Sequence, residues 1–148
     1  MKRILFICLG NICRSPMAEF IMKDLVKKAG KEKDYLIESM GVSYEEYGNP
    51  IHRGARAKME KEGVPYQMRY ATVMKSSDYD RFDYILCMDD NNLRALNRIT
   101  GGDPQNKCRK LLEEKSVADP YYTGDFEPTY QDILLGAKRL FNQLEEKA

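Results

Sequence analysis

The stretch from Ile4 to Met22, ILFICLGNICRSPMAEFIM, decides the fold. Ile4 to Cys8 is a short, continuous apolar run, the pattern of a strand covered on both faces in a parallel sheet. After the turn Leu9 to Arg14, Ser15-Pro16 predicts a helix start. A Ser side chain accepts a bond from an orphan amide there, and Pro at the first helical position loses nothing. Ala18, Ile21, Met22, Leu25 and Ala29 then recur at helical spacing until Gly30 stops the run. The chain therefore opens as strand, tight loop and helix.

The same alternation continues outward. Tyr35 to Met40 reads as a second strand, and a helix is expected from about Gly54 to Glu62, ended by Gly63-Val64-Pro65. Tyr70 to Val73 is a weak strand candidate, Ser76 or Ser77 is a candidate cap for a single turn, and Phe82 to Met88 is the second strongly apolar strand. Asp89 or Asp90 can cap a helix carrying Leu93, Leu96 and Ile99 on one face, and Lys107 to Leu112 is a last short strand candidate. A polar, turn-rich segment precedes a C-terminal amphipathic helix marked by Ile133, Ala137, Leu140, Phe141 and Leu144. This pattern predicts an α/β fold, a doubly wound parallel sheet with helices on both faces. In that architecture, function gathers at the carboxyl ends of the strands. The loop Cys8 to Ser15 stands at such an end.

Composition narrows the function classes. The chain has 148 residues, which predicts one domain over 1–148. Its 24 Lys plus Arg against 23 Asp plus Glu lack the basic excess of a nucleic-acid binder, although one local anion site remains compatible with that balance. Met1-Lys2-Arg3 before an apolar run imitates a secretory signal, but Asn11 and Arg14 interrupt it at once. No stretch approaches the roughly 20 apolar residues of a membrane span. The four cysteines form no disulfide framework, so a cytoplasmic protein with free thiols is expected. One His, His52, excludes a His-rich metal site, and Cys8, Cys13, Cys87 and Cys108 lack the dense spacing of a structural zinc site. The loop also lacks the Gly-Lys of a nucleotide-triphosphate loop.

The loop residues themselves indicate phosphate chemistry. Successive amides in a tight loop feeding a helix form an anion-binding nest. Gly10 permits φ > 0 and Asn11 tolerates it, which lets the loop curl. Arg14 offers a planar fork for two phosphoryl oxygens. A thiol in such a positive field ionises readily, so Cys8 is expected as a thiolate, in line with a bound phosphate. Cys13 is close enough in sequence to approach Cys8 in the curled loop, where a disulfide would block the nucleophile reversibly.

Cys-x5-Arg-Ser after an apolar strand, here CLGNICRSP, resembles the phosphate loop of the low-molecular-weight protein tyrosine phosphatases. FDYILCMDDNNLRAL (82–96) and ADPYYTGDFEPTYQD (118–132) are similar to that family's other characteristic segments in kind and order. The resemblance implies a four-stranded parallel sheet and hydrolysis of phosphotyrosine in protein substrates without metal or other cofactor. It implies that Cys8 attacks phosphorus, that Arg14 and the loop amides from Leu9, Gly10, Asn11, Ile12 and Cys13 hold phosphate or a similar oxyanion, and that Ser15 stabilises the thiolate. Asp119 would be the general acid and base, and Asn11 would shape the loop. Tyr121 and Tyr122, with Tyr44 or Tyr47, would wall an aromatic-sized cleft. The resemblance also supports a redox switch between Cys8 and Cys13. Many members carry a His that helps hold the loop Asn through a Ser, whereas this sequence has Arg69 there, with Ser39 as the matching Ser, and it has no Trp.

Three other readings remain at this level. A thiol-dependent arsenate reductase of the same fold would need two close late cysteines on a mobile segment. A phosphocysteine carrier or phosphate-binding module would need no acid at Asp119. An arginine-directed phosphatase tends to have Thr where this loop has Ile12.

Overall fold

The computed structural model describes residues 1–147. Four strands, β1 (Lys2–Cys8), β2 (Tyr35–Gly41), β3 (Tyr84–Cys87) and β4 (Cys108–Lys110), form one sheet in the order β2-β1-β3-β4. Every ladder is parallel, with Phe6 opposite Ser39 on one side and Leu86 on the other. Five α-helices accompany them: α1 (Arg14–Lys28), α2 (Arg53–Lys61), α3 (Asp90–Thr100), α4 (Pro120–Thr123) and α5 (Phe126–Glu146). The doubly wound reading is therefore correct, and its cause is visible in β1. Ile4, Phe6 and Cys8 pack with α1, α2 and α5 on one face, while Leu5 and Ile7 pack with Leu96 of α3 and with Tyr79 and Phe82 on the other. A strand buried on both faces has no polar face to show, hence the unbroken apolar run.

Four local expectations need correction. Tyr70 to Val73 is not a sheet strand. It makes isolated bridges, Pro50 with Tyr70 and Gly41 with Val73, because it runs past the end of β2 rather than along it. Ser15 does not cap α1. The helix begins at Arg14 with Cys13 before it, and the Ser15 hydroxyl turns to Cys8 instead. Pro16 still falls in the first turn, where its missing N–H costs no helical bond. The 3-10 turn Ser76–Arg81 is closed by Asp78, which accepts from the Lys75 amide at 2.8 Å, and not by a serine. Finally, the polar segment before α5 contains the short helix α4, which Asp119 caps by accepting from the Tyr121 amide at 3.0 Å and Pro120 opens. The expected Asp89 cap is present, accepting from the Asn92 amide at 2.8 Å.

Candidate active site

The loop between β1 and α1 turns its carbonyls toward the scaffold. Cys8 O accepts from Val42 N, Leu9 O from Val42 N and Ser43 N, Ile12 O from His52 N at 2.8 Å, and Cys13 O from Met17 N. The amides of Gly10, Ile12, Cys13 and Arg14 bond no group among the described residues. Amides gathered at a helix start with no protein acceptor form a nest for an oxyanion. Close approach makes this possible. A Cβ on Gly41 would lie 2.8 Å from Leu9 O, so only glycine at the end of β2 lets the loop pass so near.

Asn11 holds the curl in place. It sits at φ 62, a left-handed conformation that Asn tolerates better than most residues, and it is 1% exposed. Its Nδ2 donates to Ser15 Oγ at 2.8 Å and to Ser39 Oγ at 3.0 Å, while its Oδ1 accepts from Arg69 Nη2 and Thr72 N, both at 3.1 Å. Arg69 also donates to Ser39 Oγ (2.9 Å) and Ser39 O (2.8 Å) and pairs with the buried Glu19 carboxylate, which the Ser39 hydroxyl and Lys23 also reach. The guanidinium thus completes a support network at the position where the resemblance expects His. Glu19 was not legible in sequence: Lys23 is its neighbour one turn on along α1, but Ser39 of β2 and Arg69 of the following connection reach it only in the fold.

Cys8 lies at the floor, 4% exposed. Its Sγ accepts from the Asn11 amide at 3.3 Å and lies 3.0 Å from Ser15 Oγ. Since Ser15 Oγ already accepts from Asn11, its own proton is available to the sulfur. Two groups are thus placed to donate to one sulfur. At Cys13, burial first, and then the negative charges at Cys8 and Asp119, push the thiol up to about 12.

Arg14, 5% exposed, donates from Nη1 to Val117 O at 3.1 Å and from Nη2 to Asp89 Oδ2 at 2.9 Å. Nη2 also lies 3.5 Å from Asp119 Oδ2. The structure therefore brings Asp119, from the far end of the chain, to the loop. Asp89, read as a cap alone, serves both α3 and the guanidinium. Its position directly after an apolar strand was the one available signal. Tyr44 and Tyr47 pair at 5.8 Å, and Tyr121 and Tyr122 pair edge-on at 5.1 Å. All four are strongly exposed, as is much of Leu9.

The low molecular weight phosphotyrosine protein phosphatase family matches residues 3–148. The Bacillus subtilis low molecular weight protein-tyrosine-phosphatase YfkJ is 39% identical over 153 residues, covering 99% of this chain and 98% of its own length. A human low molecular weight phosphotyrosine protein phosphatase is 37% identical, covering 90% of this chain and 89% of its own. Among solved structures, YfkJ superposes with a TM-score of 0.95 at 37% identity, covering 99% of this chain and 96% of that one. The Streptococcus pyogenes low molecular weight protein tyrosine phosphatase gives 0.90 at 38% identity, covering 97% and 93%. The match runs from the first strand through the last helix and takes in both segments that meet at Arg14, so the chain belongs to the low molecular weight phosphotyrosine protein phosphatase family.

Proposed function

We propose that this protein is a cysteine-dependent phosphatase that hydrolyses phosphotyrosine in protein substrates, acting as a single domain over 1–148 in the cytoplasm. The observation that carries the reading is the convergence on one loop of a sulfur with two donors and an Arg14 guanidinium 3.5 Å from the Asp119 carboxylate. Arg14 and the unpaired amides hold the equatorial oxygens, where charge lies during phosphoryl transfer. The Cys8 thiolate attacks phosphorus in line, the P–O bond to the phenol breaks, and the Asp119 carboxyl gives its proton to the departing oxygen. Asp119, now a carboxylate, takes a proton from water as that water attacks the phosphocysteine. The S–P bond breaks, phosphate leaves, and the Ser15 hydroxyl stabilises the returning thiolate. Leu9, Tyr44, Tyr47, Tyr121 and Tyr122 supply apolar surface for the phenyl ring.

The rival readings gain nothing from the geometry. Cys87 and Cys108 sit in β3 and β4, and burial pushes both thiols up to about 12, which suits core packing better than a mobile relay to oxidised sulfur. A carrier would have no use for a carboxylate beside Arg14. The reading is tested with para-nitrophenyl phosphate in chelator at mildly acidic pH. Wild type is expected to turn over continuously and Cys8→Ser to lose at least about 1,000-fold, as expected when the nucleophile is removed. A single stoichiometric burst in wild type would instead support the carrier. Asp119→Ala is expected to slow aryl phosphates with poor leaving groups most, and equal slowing across phenols of different acidity would remove Asp119 from the acid role.

A further inference from the structure

The segment that carries Asp119 follows Val117, whose amide donates to Met88 O just past β3 at 2.8 Å, and continues into α5, and it is gripped at both ends. At its start, the Ala118 amide donates to Asp132 Oδ2 at 3.0 Å and its carbonyl accepts the Thr129 hydroxyl at 2.8 Å. Its far end is gripped by α2. The Phe126 ring occupies a notch over Gly54 so tightly that a Cβ there would lie 2.3 Å from ring atom Cε2, and the same ring stacks on His52 with centroids 5.6 Å apart. The next residue, Glu127, pairs at 2.7 Å with the buried Lys58 of α2. Gly54 has no positive φ, so its lack of a side chain serves this contact and not the backbone.

The other grip of α2 is on the phosphate loop. The His52 amide donates to Ile12 O at 2.8 Å, and its Nδ1 caps the helix by accepting from Gly54 N at 2.9 Å. One short helix therefore holds the anion-binding loop through His52 and the acid-bearing segment through Gly54 and Lys58.

We propose that Phe126, seated in the notch at Gly54, is a positioning residue for proton transfer: through α2 it fixes the placement of the Asp119 segment over the phosphate loop. The inference rests on the assignment of Asp119 as acid and base. Proton transfer needs a donor within about 2.6–3.2 Å of the leaving oxygen, a tolerance far tighter than oxyanion capture by charge and amides. Loosening the grip therefore penalises protonation of the leaving group while phosphate binding persists.

The test compares kcat/KM for wild type, Asp119→Ala, Phe126→Ala and Gly54→Ala across aryl phosphates of graded phenol acidity, with inhibition by inorganic phosphate and thermal melting measured in parallel. For Phe126→Ala, phenyl phosphate is expected to slow about tenfold or more, para-nitrophenyl phosphate less than about threefold, and phosphate inhibition to stay within about twofold, since only proton transfer is disturbed. Gly54→Ala, which keeps the ring but expels it from the notch, is expected to steepen the same dependence. It decides the matter if Phe126→Ala melts below the assay temperature. Uniform slowing of all substrates, or a wild-type dependence in the folded variants, overturns the proposal. If Asp119→Ala itself shows no leaving-group dependence, the acid assignment fails first, and the two failures are thus distinct.

Discussion

Asn11 uses both amide protons and its carbonyl oxygen on Ser15, Ser39, Arg69 and Thr72, and that completeness is what a left-handed residue under an anion site requires. Arg69→Gln removes donors to Asn11 and Ser39 and weakens the pairing of buried Glu19. Urea unfolding is expected to show a loss of about 1–3 kcal/mol, short of a fully buried pair because Arg69 is partly exposed and Lys23 still faces Glu19. Phosphate affinity should fall with it, by roughly fivefold as the loop loses order. Cysteine chemistry is similarly local. Burial pushes the Cys13, Cys87 and Cys108 thiols each up to about 12, so brief iodoacetamide treatment near neutral pH should alkylate Cys8 alone, as read by peptide mapping. What sequence reveals at this scale is conformational licence at Asn11, whose φ of 62 makes the curl; the expected φ > 0 at Gly10 is absent, and a Cβ there would lie 2.9 Å from Glu46 Cγ, so its smallness serves close approach instead. The resemblance marks Arg69 and Ser39 as the place of the loop's support, but not that the guanidinium itself holds Asn11, and Glu19 and the second bond of Asp89 show only once the fold sets them beside Arg69 and Arg14.

Helices α1, α3 and α5 were legible from their apolar period, α3 also from its Asp89 cap, and β1 and β3 from unbroken apolar runs, since the apolar signals come from burial against the sheet. Tyr70–Val73 misled because its apolar residues serve a connection bonded to Gly41 and Asn49, where Gly41 N donates to Thr72 O and Ala71 N to Asn49 O. β4 has only three residues, so the strand expected over Lys107 to Leu112 overruns it: Leu111 and Leu112 are buried in packing beyond the ladder, after the strand ends. That packing is tight. A Cβ on Gly136 of α5 would lie 2.5 Å from Leu111 Cγ, and Gly136→Ala is expected to destabilise by about 1–3 kcal/mol through overpacking, measured by denaturant midpoint, while the loop of Cys8 is untouched.

The molecule as a whole should be most stable in a broad central pH range. The Arg3 hydrogen bond and charge hold Asp83 below the usual carboxylate range, Lys58 does the same for Glu127, and the Tyr35 hydroxyl for Glu145. Each binds its proton less readily folded than unfolded, so its contribution is present above the ordinary carboxylate range and is lost as pH falls through the lowered value. Burial raises Tyr35 and the three thiols, whose contribution is complete below their ordinary values and is lost as pH rises through the raised ones. Melting temperature against pH should therefore fall at both ends, and a flat acid limb would contradict these pairings. No helix among the described residues is long and apolar enough to cross a membrane. The sheet has a further consequence in time. Because β1 pairs with strands that begin at Tyr35 and Tyr84, and every ladder is parallel, no hairpin is available to start the sheet. Each ladder must close a long loop before it yields any bond, so refolding from denaturant is expected in milliseconds to seconds, about as slow as other chains dominated by distant contacts and slower than a helical bundle of equal length.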